Sequence, residues 1–324
     1  MGIGYPSLEV QSANTGAQSY SNIPQAMVEQ GLIRSNAYSL WLDDLASSTG
    51  SILFGGVDTD KYHGSLSTLP IQPEQGVYLE MIVTLTGVSV TQNGKNTSMT
   101  TTEFPTGVLL DSGSTLSYLP ASFSQNIYKT FNVQYSSKAQ QAFCDCSLAQ
   151  STATIDFSFS GAVISVPLRE MVLQGGADAQ TSSGSLGCTF GIQAAPVSKN
   201  GASSFTLGDT FLRSAYVVYD IANNQISLAA TNFNSVSTNV MEIGTGAKSV
   251  PDASGVASPV NVAVTGTATK INGGVTATGT VTLSSSSTAT AGPSRSRASS
   301  PNGQVSIAAV IGVLAGGLLG LLAL

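Results

Sequence analysis

From Tyr38 to about Ala230 one pattern repeats: a short apolar run rich in β-branched or aromatic residues, then a break at glycine, asparagine or aspartate. Tyr38-Ser-Leu-Trp-Leu42, Ser51-Ile-Leu-Phe54, Val77-Tyr-Leu-Glu-Met-Ile-Val83, Val108-Leu-Leu110 and Tyr216-Val-Val-Tyr219 are such runs; Gly55-Gly56 and Asn93-Gly94 are such breaks. Runs of this length build strands, and their close spacing leaves room only for short helices. The region is therefore read as all-β, with helices expected around Ala121 to Phe131 and Thr210 to Arg213. Upstream, Ile23, Met27, Val28, Leu32 and Ile33 fall at helical spacing; Ser21 or Asn22 can cap that helix, and Gly31 weakens its end.

The pattern stops after about Asn232. Asn234 to Pro301 is rich in Ser, Thr, Ala, Val and Gly and has no aromatic residue. Such a composition buries too little to offset the entropy of ordering, so a disordered Ser/Thr-rich stalk is expected over residues 233–304. Ser284-Ser-Ser-Ser-Thr288 is low in complexity and suits O-linked sugar. Residues 305–324 form an uncharged apolar C-terminal segment long enough to span a bilayer. A polar stretch from Ser294 to Gln304 precedes it, with small residues at Ala291, Gly292, Ser294 and Ser296. Small site, polar spacer and terminal apolar tail together read as a GPI-anchor signal, Gly292, Ser294 and Ser296 being the better spaced attachment candidates. A plain membrane-anchoring apolar helix is the alternative. Anchor attachment requires the secretory pathway, yet Met1 to Glu9 has no basic start, no apolar core and no cleavage site. The expectation is a cell-surface protein, at the plasma membrane or cell wall, whose beginning this chain lacks; an unconventional start or a pseudogene product is the alternative. Net charge −6 and a pI near 4.6 exclude the basic face that nucleic-acid binding needs, and suit solubility in mildly acidic medium.

The chemistry concentrates in Gly107-Val-Leu-Leu-Asp-Ser-Gly-Ser-Thr-Leu-Ser-Tyr-Leu-Pro120. An apolar strand delivers Asp111 straight into the turn Ser112-Gly113-Ser114. Gly113 lets backbone amides approach the carboxylate, and the two serines offer hydroxyls to hold it. A second segment runs Phe205-Thr-Leu-Gly-Asp-Thr-Phe-Leu-Arg-Ser-Ala-Tyr-Val-Val-Tyr-Asp-Ile-Ala-Asn-Asn-Gln-Ile-Ser-Leu-Ala229. A third joins Tyr38-Ser-Leu-Trp-Leu42 to Thr49-Gly-Ser-Ile-Leu-Phe-Gly-Gly-Val-Asp-Thr-Asp-Lys-Tyr-His-Gly64, and Gly2-Ile-Gly-Tyr-Pro-Ser-Leu8 precedes both.

In this order the segments resemble the pepsin-like aspartic proteases, and closely the yapsin group of fungi, over about Gly2 to Ala230. The resemblance implies a single, C-terminal lobe of the bilobal acid-protease fold over residues 37–232, with residues 1–36 a remnant of the N-terminal lobe and interlobe connection. It implies Asp111 as one of the family's two catalytic aspartates. Ser112 would brace the opposite turn, Gly113 would let the turn close, Ser114 would bond the outer oxygen of Asp111, and Thr115 would line the substrate cleft. The substrates implied are polypeptides; no metal and no organic cofactor is implied. No second Asp-Thr-Gly or Asp-Ser-Gly stands upstream, and the family's flap hairpin is absent with the N-terminal lobe normally supplied in the same chain. Asp58-Thr-Asp60 lacks the glycine, and Asp209 stands where the family has a non-catalytic acid; all three read as solvated or structural. Because two close carboxyls share one proton to do opposite jobs in the reaction, this chain alone is expected to be inactive or nearly so. The alternatives are a non-catalytic cell-surface binding module built on the same lobe, and a homodimer that brings two copies of Asp111 together.

Three cysteines allow one bridge, and a secreted context favours a bridge over a Cys-x-Cys metal or redox site. The resemblance pairs Cys146 with Cys188; Cys144 is then left over, or is itself the partner of Cys188, or pairs with a cysteine of the missing lobe. Asn96-Thr-Ser98 is a glycosylation sequon after the turn at Asn93-Gly94. His63 reads as a surface loop residue and Trp41 as core.

Overall fold

The computed structural model describes residues 3–5, 21–47, 49–174, 187–196, 205–271, 274–282 and 311–312. The stalk over 283–304, the anchor candidates Gly292, Ser294 and Ser296, Ser284 to Thr288 and most of the apolar segment 305–324 lie outside those residues. Among the described residues no helix is long and apolar enough to cross a membrane.

The described chain is mostly strand. One sheet runs, in order, Ala253–Gly255, Tyr62–Pro70, Gln225–Thr231, Ala215–Asp220, Ala37–Trp41, Ser51–Phe54 and Ile311–Gly312. A five-stranded sheet runs Ile192–Ala194, Ser117–Leu119, Thr206–Leu207, Thr106–Leu110, Ile82–Leu85. Two four-stranded sheets complete the body: one is built on the hairpin Thr154–Phe159/Ala162–Pro167, the other on the pair Gln141–Asp145/Gly187–Phe190. Between them lies a core that includes Val108, Leu110, Leu119, Phe123, Phe157, Phe190 and Phe211, with Phe157 edge-on to Phe211 at 5.1 Å between ring centres. Alternation explains the choice of side chains: Val108 and Leu110 point inward, while Leu109 faces the other way.

Most expected elements appear where the sequence puts them. The helix Ala121–Phe131 ends at Asn132, whose left-handed φ of 52° halts it. A shorter helix spans Asp209–Leu212. Asn22 caps the helix Ile23–Glu29 by accepting from the Gln25 amide at 3.1 Å. That helix stops before Leu32, so the broad apolar face breaks up: Ile23 and Leu32 are exposed and Ile33 is buried. The run Val77–Val83 also divides. Glu74 and Val77 close a turn that exposes Val77 and Tyr78, and the strand begins only at Ile82. His63 is exposed, but in the strand Tyr62–Pro70 rather than a loop. Trp41 is buried, with the Lys61 ammonium 4.2 Å from its ring centre. The sequon residue Asn96 lies on the exposed strand Lys95–Ser98, its amide donating to Ser89, Thr91 and Asp156.

Residues 233–262, assigned from composition to an unpacked stalk, are instead laid against the body. Val240–Glu242 pairs with Gly56–Asp58, and Ala253–Gly255 pairs with Leu66–Thr68 of the neighbouring strand. Three apolar side chains, Ile243, Val250 and Val262, are buried. The rest of this strap is held by polar anchors. Lys61 Nζ donates to the Ser235 carbonyl at 2.6 Å, the Asn239 amide to Asp58 at 2.8 Å, and the Asn234 amide to Asp43 at 2.7 Å. Its end crosses the outer face of the five-stranded sheet, where Val262 and Val264 cover Ile82 and Leu109.

Candidate active site

Asp111 follows directly on the strand Thr106–Leu110, whose five residues alternate between the core and the opposite face. Gly107, Leu109 and Asp111 share that opposite face, and Asp111 remains partly exposed. The chain turns at Ser112 and Gly113, both exposed, and leaves along Ser117–Leu119. Between the two arms lies Thr206–Leu207, parallel to the incoming strand and antiparallel to the outgoing one. A strand threaded between the arms of a turn fixes both at once. The Asp111 amide donates to the Leu207 carbonyl at 3.1 Å, and the Asp209 and Thr210 amides donate to the Ser114 and Thr115 carbonyls at 2.8 and 3.2 Å.

Glycine is needed at 208, where a Cβ would run into the carbonyl oxygens of Ser114 and Leu116. Beneath the turn, the Ser117 hydroxyl accepts from the Gly208 amide at 3.2 Å and meets the Thr210 hydroxyl at 3.0 Å. Thr210 in turn donates to the Gly191 carbonyl at 3.1 Å. Behind it, Arg213 pairs with buried Glu170 at 2.9 Å, so the helix that follows Gly208 is pinned to its neighbour.

Both carboxylate oxygens of Asp111 are held. Oδ1 accepts from the Gly113 amide at 2.9 Å and Oδ2 from the Ser114 hydroxyl at 2.6 Å. Thr115 is exposed beside them, and Ser112 stands at the outer tip. The turn thus brings together all five residues from Asp111 to Thr115. The structure also bonds Cys146 to Cys188 and leaves Cys144 as a buried free thiol.

Three acids stand near this site in surroundings that the sequence does not announce: Glu80, Glu74 and Asp209. The ladder pairs Ile82 with Leu109, and the Leu110 amide donates to the Met81 carbonyl at 3.2 Å. Extending that register by one residue sets Glu80 level with Asp111. Burial, then the charges of Glu74 and Asp111, push the Glu80 carboxyl up to about 7. Glu74, 3% exposed, has no partner for either oxygen, and burial raises it too. Asp209 is not solvated: burial pushes it up to about 6 although Arg213 pulls the other way, and Asp111 adds to the rise. Glu80 gives no local signal because only strand register places it. Asp209 follows Gly208 in the sequence, but only the crossing of Thr206–Leu207 between the arms of the turn brings it near Asp111.

The model of the family described as eukaryotic aspartyl protease matches residues 1–231. The protein called "Probable aspartic-type endopeptidase opsB" of Aspergillus oryzae is 51% identical over 275 residues, covering 84% of this chain and 55% of that protein. Its namesake in Aspergillus fumigatus is 48% identical over 298 residues, covering 91% and 60%. "Aspartic proteinase yapsin-3" of Saccharomyces cerevisiae is 36% identical over 251 residues, covering 74% and 47%. The chain therefore spans about half to three fifths of the length of these relatives. The crystal structure of aspartic proteinase from Irpex lacteus superposes with a TM-score of 0.57 at 20% identity, covering 74% of this chain and 69% of that one, which is a likeness of fold.

Proposed function

Because the chain belongs to the eukaryotic aspartyl protease family, we propose that it carries one half of the catalytic centre of an acid endopeptidase. The carrying observation is the Asp111 carboxylate, clamped on both oxygens at the mouth of a buried strand and left open to solvent on one side. In peptide hydrolysis of this kind one carboxylate takes a proton from the attacking water, while a protonated carboxyl donates to the oxyanion forming on the scissile carbonyl. Asp111 fills one of these roles, and Ser114 and the Gly113 amide fix its orientation. Thr115, exposed beside it, contacts the substrate chain, and Ser112 reaches toward the turn of the second carboxyl. That carboxyl belongs to a second lobe, for which residues 37–232 are the C-terminal complement. By itself the chain is inactive or nearly so.

The apolar run 305–324 and its polar spacer support display at the cell surface through a GPI anchor. The sequon at Asn96, on an exposed strand, supports a sugar there.

The test is acid cleavage of a protein substrate. The purified chain should show no pepstatin-sensitive cleavage. Co-expression with the N-terminal half of the Aspergillus oryzae relative should restore it, and Asp111→Asn should abolish the restored activity while leaving the fold intact. Robust cleavage by the chain alone, or restored cleavage that survives Asp111→Asn, would overturn the reading. Gel filtration reads the homodimer alternative: a monomeric chain removes it.

A further inference from the structure

The strands Gln141–Asp145 and Gly187–Phe190 run antiparallel, and their register sets Cys144 directly opposite Cys188. Opposed residues on such strands stand about 4.5–5.5 Å apart at Cα with side chains on one face. That separation lies inside the range of about 4.4–6.8 Å that a disulfide spans. The bond present runs instead from Cys188 to Cys146, with a Cα separation of 5.1 Å. Cys146 lies two residues beyond Cys144, at the start of the turn Cys146–Gln150, and is only half-buried. Cys188 therefore has two partners within bonding reach, one at the rim and one in the core, where Cys144 is 1% exposed.

We propose that these cysteines are an exchangeable set, in which the bridge moves from Cys146–Cys188 to Cys144–Cys188 and frees the rim thiol of Cys146. Cys144 gives its thiol proton to solvent and its sulfur attacks Cys188 Sγ. The Cys144–Cys188 bond forms as the Cys146–Cys188 bond breaks, and Cys146 leaves as a thiolate that takes up a proton. One disulfide replaces another, so no oxidant or reductant is consumed. The closed loops differ by two residues, so constraint of the unfolded chain does not choose between the pairings. Folded geometry chooses, and either bridge tethers Gly187–Phe190 to the same stretch of chain, Cys144 to Cys146. Burial, with Asp145 adding to it, pushes the Cys144 thiol up to about 12. Thiolate is the attacking species, so exchange in the folded chain is slow near neutrality and quickens as pH rises. The freed Cys146 is then a reactive, half-buried thiol at the rim, open to alkylation or to a mixed disulfide.

Peptide mapping of the whole chain after alkylation in denaturant tests this. At neutral pH the chain should show the 146–188 link and one alkylated cysteine, Cys144. Held at rising alkaline pH without added thiol, it should gain a 144–188 link while the label moves to Cys146. After oxidative refolding, Cys146→Ser should show no alkylatable thiol and a 144–188 link, whereas Cys144→Ser keeps the 146–188 link at every pH. If Cys146→Ser does not fold, the alkaline series on the unaltered chain decides alone. Label confined to Cys144 at every pH, a 144–146 link, or two free thiols in folded Cys146→Ser would overturn the proposal.

Discussion

At the residue scale, the catalytic turn depends on the absence of one side chain and the presence of one hydroxyl. Gly208 passes so close to the Ser114 and Leu116 carbonyls that any Cβ forces the outgoing arm of the turn away from the crossing strand. Those carbonyls are backbone, with no rotamer to change. Gly208→Ala is therefore expected to cost about 3 kcal/mol or more, read as a lowered urea midpoint. Ser117 holds the same crossing through its hydroxyl, buried between the Gly208 amide and Thr210. Ser117→Ala strands that buried amide without a partner and should cost about 1–3 kcal/mol. By contrast, Ser112 is exposed at the tip of the turn, and Ser112→Ala should stay within about 0.5 kcal/mol. A stability loss at Ser112 matching that at Gly208 would contradict this division.

At the element scale, the strands were legible where local composition decides them, and illegible where a partner does. Val108-Leu-Leu110 announces a buried strand, and Asp-Ser-Gly after it announces a turn, because both signals lie within a few residues. The threading of Thr206–Leu207 between the arms, and the placement of Glu80 beside Asp111, are set by pairings across long stretches of chain that no local pattern encodes. The strap packs against the expectation from its composition for a related reason. Its composition averaged over 234–301 is poor in apolar bulk, but among the described residues a few apolar side chains, Ile243, Val250, Val262 and Val264, are buried. The anchors Lys61, Asp58 and Asp43 belong to other elements. This difference is measurable. Ile243 is fully buried and Val236 is 98% exposed. Ile243→Ala should cost about 3 kcal/mol, and Val236→Ala within about 0.5 kcal/mol. Equal, negligible effects in urea unfolding would return residues 233–262 to an unpacked tether.

At the scale of the whole molecule, the buried acids set how stability varies with pH. Glu80, Glu74, Asp209 and Asp220 are all pushed up, chiefly by burial, with Glu80 reaching about 7 and Asp209 about 6. Arg213 eases the cost at Asp209 and Asn223 at Asp220, while Glu80 faces the acids Glu74 and Asp111. An acid whose folded pKa lies above its unfolded value keeps a proton that the unfolded chain has released. The folded state then binds more protons across the interval, and stability falls as pH rises through it. For Glu80 the penalty is absent below about 4.5, grows toward 7 and is complete above it, about 3 kcal/mol in all. Exposed Asp145 and Glu29, held low by hydrogen bonds, act in the opposite sense, but only below the ordinary carboxylate range. The chain should therefore be most stable in mildly acid medium and lose stability toward neutrality, where many proteins are at their best. Thermal unfolding followed from about pH 4.5 to about pH 8 should show Tm falling to about pH 7 and levelling beyond it. Glu80→Gln, which cannot ionise, should remove much of that slope. A Tm that rises toward neutrality, or a slope unchanged in Glu80→Gln, would show that Glu80 is solvated rather than enclosed beside Asp111.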